Sequence, residues 1–197
     1  MRAIQGFLAS AIAVLALLTS GCGINNIPTY DEAATAAWSQ VLNQYQRRAD
    51  LVPNLVETVK GFAKQEQQVL TAVVEARAKV GSMQLPKDIL TNPQAFQQFQ
   101  QHQDQLGSAL SRLLVVVEKY PELKSNQNFL TLQSQLEGTE NRIAVARKDY
   151  IESVQRYNTE MRTFPGRIWK GILYSDLQPK QNFSAPEAVQ EVPKVKF

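Results

Sequence analysis

Apolar positions recur at steps of three and four along most of this chain, with Gln, Glu, Lys and Arg between them. The longest run is Phe129, Leu132, Leu136, Thr139, Ile143, Ala146, Tyr150, Val154, Tyr157, Met161 and Phe164. An α-helix turns once in about 3.6 residues, so these side chains share one face, the seam of a bundle helix. Earlier runs are Tyr30, Ala34, Trp38, Val41 and Tyr45; then Val52, Leu55, Val59, Phe62, Glu66, Val69, Val73, Ala76 and Val80; then Phe96, Phe99, Gln103, Leu106, Leu110, Leu113, Val117 and Tyr120. The two-residue alternation of a half-buried strand does not occur between 30 and 164. The pattern predicts an all-α fold, an antiparallel up-and-down bundle of three to four long helices over residues 30–164.

Turn formers mark the breaks. Gly81 to Pro93 reads as a loop, Tyr120-Pro121 ends the third run, and Phe164-Pro165-Gly166 ends the fourth. At Pro53 two readings stand. Asp50 caps a new helix with Pro53 in its first turn, or Pro53 kinks one long helix. Residues 22–29 read as a tether, since GINNIPT has no period. Residues 165–197, with Pro179, Pro186 and Pro193, read as an extended tail with Val195 and Phe197 docked back.

The first 21 residues have a different character. Arg2 and the α-amine precede an apolar run from Phe7 to Leu18, then Thr19, Ser20, Gly21 and Cys22. A charged start, about twelve apolar residues and small residues before the cleavage point make a signal peptide. At 1.5 Å per residue the run reaches about 18 Å, short of a hydrocarbon core of roughly 30 Å. Small residues before a cysteine suit a lipobox, so Cys22 is expected to carry a lipid as the first residue of the mature chain. The alternative is an uncleaved N-terminal membrane helix extended through Ile24. Either of these places the chain at a bacterial envelope membrane with its domain on the extracytoplasmic side; simple secretion is the third reading.

Composition adds exclusions. With 44% hydrophobic and 20% charged residues, the chain has the make-up of a folded domain. Its net charge of +3, of which Arg2 supplies one, is too small and too evenly spread for a nucleic-acid face. One Cys and one His cannot furnish a disulfide or a structural zinc site. Di-iron bundles need paired Glu-x-x-His motifs, and no Glu stands three residues before His102. No metal, cofactor or catalytic constellation is therefore expected, and the chain reads as a non-enzyme.

Two polar clusters remain as candidate interaction sites. Arg47, Arg48, Asp50, Asn54 and Glu57 form one, with Glu140, Asn141, Arg142 and Arg147 as potential interhelical partners. Such groups either make a site or fix helix register. The other is Arg167, Trp169 and Lys170, a basic-aromatic segment suited to a membrane surface or to packing.

Two stretches carry a resemblance. One is WSQVLNQYQRRADLVPNLVETVKGFAKQEQQVLTAVVEAR. The other runs from LLVVVEKYPELK through TENRIA to YNTEMRTFP. In order and spacing they resemble the LemA family over most of residues 30–165. The resemblance implies a helical bundle, an N-terminal membrane anchor and an exposed domain, and it implies no reaction. After Phe164-Pro165 the chain departs from the family pattern and reads GRIWKGILY. The expectation is a membrane-anchored scaffold or interaction protein whose protein partner is unknown. The alternative is a module that binds lipid or an envelope polymer through the Arg-rich turn or the Trp169 segment.

Overall fold

A computed structural model describes residues 23–184. Among them there are six helices and no strand: α1 (Asn26–Phe62), α2 (Gln67–Ser82), α3 (Pro93–Val117), α4 (Pro121–Lys124), α5 (Gln127–Glu160) and α6 (Gly166–Ile172). The fold is all-α, with four long helices, as the periodicity requires. The lipobox with Cys22, and the tail residues Val195 and Phe197, lie outside the described residues.

The chain forms two compact units. The larger takes residues 37–151 and 181–184. Its core draws on Val52, Leu55 and Val59 of α1, Leu70 and Val73 of α2, Leu106, Leu110 and Leu113 of α3, Leu123 of α4, and Phe129 and Leu136 of α5. All but Leu70 and Leu123 are seam positions of the sequence, removed from water because burying apolar area is the main favourable term in folding; after the break Leu70 takes the buried place that the spacing gave to Val69. A second cluster is aromatic. Trp38 meets Phe96, Phe99, Tyr150 and Phe183 at ring separations of 5.5, 5.0, 5.3 and 6.1 Å. Phe183 belongs to an extended segment pinned by main-chain atoms. Gln181 N donates to Leu90 O, and Gln181 O accepts from Tyr150 Oη at 2.7 Å.

Local chemistry sets the helix ends. Asn92 caps α3 by accepting from Ala95 N, with Pro93 in the first turn. Asn126 does the same for α5, accepting from the amides of Asn128 and Phe129.

The smaller unit takes residues 23–36 and 152–180. Ile27, Tyr157 and Met161 form its core, with Tyr30, Trp169, Tyr174 and Leu177 packed against them. Tyr157 Oη donates to Gln178 O. Asn158 exchanges two hydrogen bonds with the main chain of Lys180, at 2.9 and 3.0 Å. Lys180, its side chain nearly buried, pairs with Asp31 at 2.9 Å.

Of the two readings at Pro53, the one long helix holds, since α1 runs through it to Phe62 and no helix starts there. Other expectations need correction. The break falls instead at Ala63–Glu66, inside what the spacing presents as one continuous run. There the phase resets, so Ala63 is buried and Phe62 exposed. The turn-rich stretch 23–29 is not all tether, since α1 begins at Asn26 and Ile27 is fully buried. The stretch after Pro165 is not all extended, because it contains α6, and Phe164 is exposed rather than a seam residue.

Candidate functional site: the Arg48 network

Of the five residues in the Arg-rich turn, only Arg48 is buried; Arg47, Asp50, Asn54 and Glu57 are exposed on α1. Arg48 stands on the face of α1 that carries Tyr45, Val52 and Leu55 into the core. A guanidinium placed there must be paired, since an unpaired buried charge costs several kcal/mol. Its Nη2 donates to Gln103 O at 2.9 Å and Gln103 Oε1 at 2.8 Å. Its Nη1 reaches Glu140 Oε1 at 3.1 Å. The guanidinium also lies over the Tyr45 ring, 5.0 Å from its centre. Arg48 thus ties α1 to α3 and α5 and joins two segments singled out in the sequence, RRADLVPNLV and TENRIA.

Electrostatics follow the burial. The Tyr45 phenol titrates above its usual range because burial disfavours the phenolate, a shift that nearby Arg147 and Arg48 oppose. Glu140 keeps 44% of its side-chain surface exposed. Glu140 also lines a groove of about 510 Å³, together with Gly107, Leu110, Ser111, Leu114, Leu136, Glu137 and Asn141. The network offers register and charge pairing. It presents no nucleophile beside a base.

The remaining residues of the Arg-rich turn are used locally. Asp50 Oδ1 accepts from Gln46 at 2.7 Å, Asn54 O accepts from Thr58 Oγ1, and Glu57 pairs with Lys60. Of the other candidates on α5, Arg142 donates to Thr139 Oγ1, and Arg147 stacks on the Phe183 ring at 4.3 Å. The Trp169 segment divides. Trp169 turns inward onto the Ile27–Tyr157–Met161 cluster, Lys170 donates to Ser175 O, and Arg167 is exposed. Among the described residues no group of His, Cys, Asp or Glu is placed to hold a metal ion. No described helix is long and apolar enough to cross a membrane.

The spacing missed two groups that matter. Arg77 Nε donates to Ala49 O at 3.2 Å. The exposed apolar residues Ile168, Ile172 and Leu173 flank Trp169, the aromatic of the basic-aromatic segment. Their signal was the four-residue step from 168 to 172.

Comparison with known proteins gives a consistent picture. The family model described as LemA family matches residues 37–197. Magnetosome protein MamQ 2 and Magnetosome protein MamQ 1 of Paramagnetospirillum magneticum are each 39% identical over 59 residues, 30% of this chain and 22% of theirs. Magnetosome protein MamQ of Magnetospirillum gryphiswaldense is 28% identical over 175 residues, 79% of this chain and 64% of that protein. This chain thus spans only about a fifth of the length of the first two relatives.

Proposed function

This chain belongs to the LemA family, and on that premise we propose that it is a membrane-anchored, non-catalytic scaffold of the bacterial cell envelope, held by a lipid on Cys22. The observation that supports this most directly is how soon after Cys22 the fold begins. Tyr174 Oη donates to Ile24 O at 3.1 Å, Asn26 Nδ2 donates to Glu160 at 3.1 Å, and α1 starts at Asn26. A lipid on Cys22 would therefore hold a folded domain close to the bilayer instead of trailing it on a long linker. Two or three acyl chains, at about 0.8 kcal/mol per buried methylene, would make that attachment firm.

The polar groups of the Arg48 network are spent on joining helices, which suits a protein that presents helix faces rather than one that turns over a substrate. The magnetosome relatives support, as a proposal for this chain, a place at a membrane. The test is crosslinking in living cells followed by enrichment. Reproducible envelope partners with the wild type, lost with Cys22→Ser, would bear out the scaffold. An enrichment with no reproducible partner would count against it, and turnover of an esterase, phosphatase or peptidase substrate would overturn its non-catalytic part.

A further inference from the structure

Trp169 packs inward, yet the large apolar side chains that flank it on α6 and in the adjoining turns stay exposed. Phe164, in the turn before the helix, is 83% exposed; Ile168 and Ile172, one turn apart, are 48% and 68% exposed; Leu173 follows at 51%. Four large apolar side chains within ten residues are more than the scattered single exposures that soluble surfaces tolerate. Between Arg162 and Leu173 the chain carries Arg162, Arg167 and Lys170 and no carboxylate.

The place of this surface singles out its occupant. Gly23, with φ of +93°, sits so close to Pro165 that a Cβ on it would lie 3.2 Å from Pro165 Cγ. Residue 22 is covalently about 3.8 Å from Gly23 in Cα position. The apolar surface starts at Phe164, the neighbour of Pro165, so it lies beside the point where the chain enters from residue 22. Whatever holds residue 22 at a bilayer brings this surface to the same bilayer. Apolar side chains rimmed by cations suit the boundary between anionic headgroups and acyl chains.

We propose that Phe164, Ile168, Ile172 and Leu173, rimmed by Arg162, Arg167 and Lys170, form a membrane-docking surface that lies in the headgroup–acyl boundary of an anionic bilayer. It rests on the anchoring of the chain near residue 22 and adds a second, non-covalent contact that fixes how the smaller unit meets the membrane.

The test uses the full chain reconstituted into vesicles of phosphatidylethanolamine and phosphatidylglycerol whose acyl chains are brominated near the headgroup. Ile172→Trp places a reporter on the surface, read as the difference from the unsubstituted chain so that Trp38 and Trp169 cancel. Val115→Trp, at a residue also 68% exposed, is the reference for an apolar position off the surface. The expected result is blue-shifted emission from residue 172 that is lost on bromination, with no such loss at residue 115. Quenching should fall when phosphatidylcholine replaces phosphatidylglycerol, and undiminished quenching would remove the cations from the proposal. A chain that floats with the vesicles but leaves residue 172 water-exposed and unquenched overturns the surface and spares the anchor. So does equal quenching at both positions. A chain that does not float with the vesicles overturns both.

Discussion

Arg77 Nε donates to the main-chain carbonyl of Ala49 at 3.2 Å, and Ala49 stands four residues before Pro53, inside α1. Proline has no N–H, so it cannot complete the helical bond to that carbonyl. A side chain from α2 supplies the missing donor, and α1 continues through the proline. Arg77→Met should cost about 1–2 kcal/mol by urea denaturation. In a Pro53→Ala background, where the helix can restore its own bond, most of that cost should vanish. Equal costs in both backgrounds would show that Arg77 does not act through this carbonyl.

Arg48 should be the least replaceable polar residue of the larger unit. Its fork serves Gln103 and Glu140 at once, a geometry lysine cannot copy. Arg48→Lys and Arg48→Met should each lose roughly 1.5–3 kcal/mol. Glu140→Gln should lose under about 1 kcal/mol, since Glu140 is partly solvated. Chemical denaturation of the three variants measures this, and a lysine variant as stable as wild type would contradict it.

Alkaline pH should loosen the fold. Burial raises the titration of Tyr150 and Tyr157 far above the usual tyrosine value of 10.0. A raised folded pKa means that stability is fully present below pH 10 and is lost as pH climbs towards the folded value. Thermal melts should therefore fall steadily above about pH 10. Tyr150→Phe should cost about 1 kcal/mol at neutral pH through the lost bond to Gln181. It should then show a shallower alkaline decline than wild type; parallel declines would mean Tyr150 is not responsible.

Two glycines of α6 should respond oppositely. A Cβ on Gly166 would overlap the Glu160 carbonyl oxygen, whereas one on Gly171 meets nothing within 4 Å. Gly166→Ala should destabilise by about 1–3 kcal/mol. Gly171→Ala should be neutral or gain up to about 1 kcal/mol from helix propensity. Similar effects in differential scanning calorimetry would refute this view of the turn.

These contrasts show where the sequence was readable. The seams from Phe96 to Val117 and from Phe129 to Met161 were legible because helical spacing is a local property, and each of their positions is buried or half-buried. The break at Ala63 was not, since Val59, Phe62, Glu66 and Val69 keep the helical step across it, and Gly61 was its only warning. Arg48 was legible as a candidate by its charge and neighbours, but nothing local separated it from exposed Arg47. The segment from Gln178 to Ser184 was unreadable for a different reason. It is held by its own main-chain atoms to Tyr157, Asn158, Tyr150 and Gln100, and a carbonyl leaves no trace in residue type. The apolar face of α6 was masked by Trp169, whose ring is the one that packs.

The anchored scaffold stands or falls at Cys22. The measurement that tests it most directly is the mass of the N-terminal peptide from the membrane fraction of cells, for wild type and Cys22→Ser. The scaffold reading predicts a wild-type peptide that begins at residue 22 with a diacylglyceryl mass on its cysteine, and a variant that loses both the lipid and the cleavage. A wild-type peptide that still begins at Met1, with membrane attachment unchanged by the substitution, would contradict it and give the role of anchor to an uncleaved helix.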